Sequence, residues 1–370
     1  DQALSLYRQM GARVGEANTL KAIGDVLQFL NQRSDALNRY HQALEIYRHI
    51  GSQLGEANTL AAIGDVLQFL DRRNEALQHY EDALSLYRQI GDRQGKANVL
   101  KAIGDVLQFL DQRSEALNRY DQALSTYRQV GARLGEANTL RAIGDVLQFL
   151  NQRNEALERY DQALEIYRTT GAGLGEANTL MAIGDVLQFL NQRNEALSRY
   201  EECLEIYREM GARLGEANTL RVIGDMLQFA NQRTEALSHY DQALGIYQQV
   251  GAHLGEANTL KAVGDVLQFL DQREAALNRY DQALSIYRQV GARLGEANTL
   301  RAIGDVLQFL NQRDVALNHY EQALEIYRQV GARLGEANTL KAIGDSLRLL
   351  TKNRESLSHY DQALGIYRQV

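Results

Sequence analysis

The 370-residue chain contains no proline, no tryptophan and a single cysteine, Cys203. One thiol excludes an intramolecular disulfide and points to a reducing, cytoplasmic compartment. No Pro-rich or Gly/Ser-rich stretch marks a linker and the composition does not shift along the chain, so one continuous body is expected. No apolar run approaches the roughly 18 residues of a membrane-spanning helix, and no signal peptide opens the chain, so no membrane is expected as a partner. The formal net charge of −7 is spread evenly and leaves no basic face, which argues against nucleic acid. The seven His are scattered without metal-ligand spacing, and no metal is expected. Asp1 is not an initiator residue, and the chain reads as a piece of something longer.

What the sequence has in abundance is itself. From Gly11, nine units of 40 residues run without insertion or deletion to Val370, preceded by the ten-residue half-unit DQALSLYRQM. Eighteen of the nineteen Tyr fall at two positions per unit, the eight Phe at one, and twenty-seven of the thirty Gly at three. The aromatic stripe therefore reads as repeat core rather than a cofactor box, and no cofactor is expected.

The fourth unit, residues 131–170, shows the pattern. From Glu136 to Leu150 the residues Ala137, Leu140, Ile143, Gly144, Leu147 and Leu150 recur at three and four, with Ala142, Val146 and Phe149 as a second stripe beside them. Two such stripes predict a first helix buried on two sides. A second helix is predicted from about Glu155 to Arg168, with Ala156, Leu157, Tyr160, Ala163, Leu164 and Tyr167 inward and charged residues outward. Asn151-Gln152-Arg153 forms the turn between them, Asn154 is the expected N-cap, and Gly131 the expected left-handed residue after the preceding helix. Gly135 is expected to open the next helix.

The stretch GDRQGKANVL at residues 91–100 resembles a phosphate-binding loop, but three residues rather than four separate Gly91 from Gly95, and Ala97 stands where a hydroxyl is needed. The neighbouring units read GSQLGEANTL and GARLGEANTL at the same place, so Lys96 is a variant within a repeat. Every polar candidate recurs ninefold, and no His–carboxylate, Ser–His or Cys–His set appears. No enzyme is expected.

At Leu140, Ile143-Gly144, Leu147, Ala156, Tyr160 and Ala163 the unit resembles the tetratricopeptide repeat, with Leu in place of its Trp and Tyr and Arg168 in place of its closing Pro. The longer second helix is similar to the extended form in kinesin light chains and in Leu-Gly-Asn-repeat polarity adaptors. The resemblance implies an all-α, right-handed superhelical solenoid of stacked antiparallel helix pairs, with residues 1–10 a truncated repeat, residues 11–370 one array, and first helices lining a concave face. It also implies that extended peptides are held from that face. Arrays of this kind occur as sensor regions of bacterial signal-transducing NTPases.

The residues lead to the same face independently. The first helix carries one narrow polar stripe, Asn138, Arg141, Asp145 and Gln148, within roughly 80° of arc. Its equivalents are Asn58, Asp65 and Gln68; Asn98, Lys101 and Asp105; Asn178, Asp185 and Gln188; and Asn218, Arg221 and Asp225. Stacked, they form an Asn row to Asn338, a mostly basic row, an Asp row to Asp345 and a Gln row ending in Arg348. Asn and Gln carry both donor and acceptor and can satisfy the backbone of an extended segment without reading its sequence. Arg141 and Asp145, four apart on one helix, are also placed to pair with each other. Ala61 and Met181 interrupt the basic row, so a ligand Lys or Arg could dock at Asp65 or Asp185.

The expected function is thus a non-catalytic scaffold for an extended peptide or protein segment. The alternatives are a rigid architectural spacer or self-assembly element, or the sensor region of a larger signal-transducing NTPase. Ala3, Leu4 and Tyr7 at one end and Ala363, Leu364 and Tyr367 at the other form apolar end faces, so end-to-end self-association is expected, with Val370 of one molecule against Asp1 of another.

Overall fold

The computed structural model describes residues 2–369, which contain nineteen α-helices and no strand. Asp1 and Val370, named above for end-to-end contact, lie outside the described residues. The chain divides into two compact units, Asp1–Leu190 and Asn191–Val370. The first holds α1 (Gln2–Gln9), α2 (Arg13–Phe29), α3 (Arg33–Ile50), α4 (Gln53–Phe69), α5 (Arg73–Ile90), α6 (Arg93–Phe109), α7 (Arg113–Val130), α8 (Arg133–Phe149), α9 (Arg153–Thr170) and α10 (Gly173–Phe189). The second holds α11 (Arg193–Glu209), α12 (Arg213–Phe229), α13 (Arg233–Val250), α14 (His253–Phe269), α15 (Arg273–Val290), α16 (Arg293–Phe309), α17 (Arg313–Val330), α18 (Arg333–Leu349) and α19 (Asn353–Tyr367).

In each unit consecutive helices pack side by side. Successive first helices also touch one another, α2 with α4 through to α8 with α10 in one unit and α12 with α14 through to α16 with α18 in the other. Successive second helices make no comparable contact among the described residues. The layer whose members approach more closely is the inner one, so the first helices form the inner layer of each unit.

The helices begin earlier than the apolar pattern suggests. In the fourth repeat α8 opens at Arg133 and α9 at Arg153, because Glu136 and Ala156 donate their N–H groups to the carbonyls of Ala132 and Gln152, both at 3.0 Å. Gly135 therefore lies inside the first turn of α8, and Asn154 inside α9; the N-cap position is Gln152, whose side chain makes no capping bond. Both turns end a helix in the same way. Gly131 has φ 72° and Asn151 φ 62°. The following N–H reaches back five residues in each case, Ala132 to the Tyr127 carbonyl at 3.0 Å and Gln152 to the Leu147 carbonyl at 2.9 Å. That is the Schellman closure, with Gly at one turn and Asn or Asp, which tolerate left-handed backbone, at most copies of the other.

The core follows the predicted stripes except at the end of the first helix. Ala137, Leu140, Ala142, Ile143, Val146 and Leu147 of α8 are buried, as are Ala156, Tyr160, Ala163, Leu164 and Tyr167 of α9. Phe149 was expected in the core and is instead 66% exposed, as are its equivalents to a similar degree; Leu150 is also exposed. Phe149 is the last residue of α8, beyond the layer of side chains that the neighbouring helices cover. One ring face takes the Arg113 guanidinium at 5.2 Å, a contact made by Arg33 on Phe69 and by Arg153 on Phe189 as well. The eight Phe are an edge feature, and the Tyr carry the aromatic core.

Gly144 lies under the Tyr160 ring, where an added Cβ would stand 2.5 Å from Cε1. The glycine allows the second helix to close on the first. Between repeats, a buried Glu136 is clamped by two arginines, Arg128 Nε at 2.8 Å and Arg133 Nη1 at 2.7 Å. The same clamp holds Glu16, Glu216, Glu296 and Glu336. Lys96 occupies the glutamate position of that clamp. There Asp92 caps α6 by accepting from the Gly95 N–H at 3.0 Å. GDRQGKANVL is a variant inter-repeat joint.

Candidate peptide-binding face

All the polar residues singled out in the sequence lie on first helices: Asn58, Asp65 and Gln68 on α4, Asn98, Lys101 and Asp105 on α6, Asn138, Arg141, Asp145 and Gln148 on α8, and Asn178, Asp185 and Gln188 on α10. These belong to one unit, on helices that touch in succession; Asn218, Arg221 and Asp225 lie on α12 in the other. Each helix places its set on the face left open by the two buried stripes.

The stripe is organised by tyrosines that the sequence reading assigned to the core alone. The Tyr167 hydroxyl donates to Asn138 Oδ1 at 2.6 Å, and the same bond joins Tyr87 to Asn58, Tyr127 to Asn98 and Tyr247 to Asn218 at 2.6–2.8 Å. Tyr160 donates to Asp145 Oδ1 at 2.8 Å and also lies 3.2 Å from Gln148 Oε1. Its single hydrogen serves the carboxylate, the stronger acceptor. Tyr80, Tyr120 and Tyr240 hold Asp65, Asp105 and Asp225 in the same way. The rings are buried and the hydroxyls lie beneath the polar stripe, bonded to its side chains. A buried Tyr must find a partner for its hydroxyl, so the use of Tyr rather than Phe at two positions in every repeat was the available signal.

The basic row pairs within its own helices. Lys101 reaches Asp105 at 2.8 Å, Arg141 reaches Asp145 at 3.3 Å and Arg221 reaches Asp225 at 2.7 Å. Burial pushes the Asp145 and Asp225 carboxyls above their ordinary value, with the paired arginine and the tyrosine hydroxyl pulling the other way. Burial, then the adjacent carboxylate, raises the Tyr160 hydroxyl far above its usual range, so it stays a donor. At Asp345 burial also pushes upward, but the Lys341 and Tyr360 hydrogen bonds outweigh it and the carboxyl lies below its usual value.

Asp65 differs from these. Ala61 stands where the cation should be, and Asp65 has no ion pair among the described residues. The carboxylate is exposed, yet the surrounding wall thins its hydration enough to raise its affinity for a proton.

In the second unit the same face encloses a cavity of about 500 Å³ lined by Gln268, Arg301, Asp305, Gln308, Phe309, Asn338, Lys341, Ala342 and Asp345. The polar members continue the rows. Phe309 is the addition: an exposed aromatic edge borders the polar stripe, where the sequence reading had placed a core side chain. No group of three or more His, Cys, Asp or Glu among the described residues is arranged to hold a metal ion. No described helix is long and apolar enough to cross a membrane.

The family model for the tetratricopeptide repeat matches residues 55–129, 108–169, 135–209, 215–289, 270–329 and 295–369. The chain belongs to the tetratricopeptide repeat family. No curated protein matches it in sequence. Among solved tetratricopeptide-like folds, it is similar to a signal transduction ATPase with numerous domains that carries a tetratricopeptide repeat sensor, from Pyrococcus horikoshii. The TM-score is 0.71 at 12% identity, covering 96% of this chain and 52% of that one, so this chain spans about half the length of that protein. The apo quorum sensor NprR from B. thuringiensis matches with TM-score 0.64 at 16% identity over 93% of this chain and 99% of that one. A Rap protein complexed with competence and sporulation factor matches with TM-score 0.54 at 13% identity over 96% and 98%. At these identities the likeness establishes the tetratricopeptide fold.

Proposed function

We propose that the chain is a non-catalytic scaffold that holds an extended peptide or protein segment along its first-helix face. The observation that carries this reading is the tethering of the asparagines. Because each Asn Oδ1 named above accepts from a buried tyrosine, the amide is held in one orientation with its acceptor occupied and its N–H groups available to a ligand carbonyl. A ladder of fixed donors suits the backbone of an extended segment, and fixing the side chains in advance lowers the entropy lost on binding. The Rap protein of the same fold, complexed with competence and sporulation factor, supports ligand binding by such an array.

The test is selection of phage-displayed random nonapeptides on the full chain and on a variant with Asn58, Asn98 and Asn138 all replaced by Ala. The expected result is recovery of extended binders by the parent chain and at least about tenfold weaker binding by the variant, with helicity by circular dichroism unchanged. Equal binding by both proteins would move the ligand off this face. Recovery of no binder by either would remove the reading.

A further inference from the structure

The Asp row is not uniform, and Asp65 defines a more specific partner. Asp105 and Asp145, on the helices that follow α4, are paired with a basic residue four positions earlier, and their side chains are about one-third exposed, at 31% and 32%. On the preceding helix, Lys21 pairs with Asp25 at 3.0 Å. Asp65 lies between these neutralised rungs with a methyl group at position 61, so its rung carries one uncompensated negative charge. Its Oδ1 accepts from Tyr80 at 2.7 Å, which fixes the carboxylate, and Oδ2 has no hydrogen bond among the described residues.

The equivalent position in the second unit shows what such a site can hold. In α16 the equivalent aspartate and the phenylalanine four residues later border a single cavity of about 500 Å³, into which Arg301 also projects. On α4 the corresponding pair is Asp65 and Phe69, and Phe69 is 65% exposed. The arginine that occupies that space in α16 is replaced by Ala61. An incoming cationic side chain would thus stand where the chain's own basic residue stands elsewhere, its stem along the Phe69 edge and its charge on Asp65 Oδ2.

We propose that Asp65, with Ala61 and Phe69, is the anchor point for a Lys or Arg side chain of the bound segment. The inference rests on the scaffold reading above and adds a specificity to it.

The decisive variant is Ala61→Lys, which restores an internal partner. Lys already occupies that position in α2, α6, α14 and α18, so the fold tolerates it. Random nonapeptides are selected on the full parent chain, on Ala61→Lys and on Asp65→Asn. The expected result is enrichment of Lys or Arg at one fixed peptide position with the parent chain, and loss of that enrichment with both variants. Individual cationic peptides should then bind at least about tenfold more weakly to each variant, while peptides with that cation changed to Gln bind all three proteins alike. The same cationic enrichment on all three would overturn the Asp65 anchor while leaving the scaffold reading intact, and so would binders from the parent chain that carry no cationic preference. Absence of any binder from the parent chain would overturn both.

Discussion

Replacing Gly144 with Ala sets two physical effects of opposite sign against each other. In an unencumbered helix the change stabilises by about 1 kcal/mol, because Ala loses less backbone entropy than Gly. Here the new Cβ would stand 2.5 Å from Cε1 and 2.7 Å from Cδ1 of the Tyr160 ring, well inside van der Waals contact. Tyr160 is fully buried between helices and cannot swing outward, so α8 and α9 must separate or the ring must leave its rotamer. Overpacking of this kind costs about 1–3 kcal/mol. Moving the ring also lengthens the 2.8 Å bond to Asp145. A hydrogen bond to a charged acceptor is worth about 1.5–3 kcal/mol, of which water at the partly exposed carboxylate recovers a share, leaving about 1 kcal/mol. The net expectation is destabilisation by about 1–3 kcal/mol. Hydrogen exchange read by mass spectrometry should show it as faster exchange in α8 and α9, fading through α7 and α10, because each repeat contacts only its neighbours. The double variant Gly144→Ala with Tyr160→Leu should recover part of the loss. Unchanged or slower exchange in Gly144→Ala would show that the ring does not require the missing side chain, and the account of close approach would fail.

Leu147→Ala removes a side chain that is 7% exposed and should cost about 2–5 kcal/mol; equal loosening of every repeat in hydrogen exchange would contradict nearest-neighbour stability. Tyr167→Phe keeps the ring and deletes the donor to Asn138, so the same exchange measurement should show little change while peptide binding at that rung weakens. Arg153→Ala uncovers the Phe189 ring, now capped at 3.7 Å, and should lower local stability by about 0.5–1 kcal/mol, read as the shift in a urea transition. Asp65 has a proton affinity raised in the folded chain, so its stabilising contribution is complete below the unfolded value and is lost as pH rises through the folded one. Asp65→Asn should therefore raise stability at about pH 7 relative to the parent and bring no gain at about pH 3, measured by thermal unfolding at both.

The repeat and its helix pair were legible in the sequence because period and apolar spacing report burial directly, as Leu140, Ile143 and Leu147 show. Phe149 misled because periodicity ignores length: it sits on the buried stripe by angle, but at the helix end, where Arg113 covers one ring face and the rest stays open. Asn151 was read as a turn residue without its left-handed backbone, since Asn and Asp at that place lack the plain signature of Gly. The polar rows were found from their arc alone. Their tethers were not, because Tyr167 and Asn138 stand 29 residues apart and only the closure of the hairpin brings them together.

The Arg–Glu–Arg clamp has a consequence for how the chain finds its order. It recurs unchanged in five joints, so it carries no address: an arginine at the end of one second helix fits the glutamate of many first helices equally well. At one joint the native order is locally the poorer match. Arg88 at the end of α5 is followed by a helix offering Lys96, whereas with α6 and α7 looped out it would meet Glu136 and Arg133, the same pair that Arg128 clamps. A slipped register that skips the third repeat therefore gains an ion pair there, and the loss falls on the contacts of the omitted helices. Emergence from the ribosome in chain order removes the competition, because α6 is available to α5 before α8 exists. Refolding from denaturant, with every helix present at once, has no such protection, and the slipped register is the trap expected there.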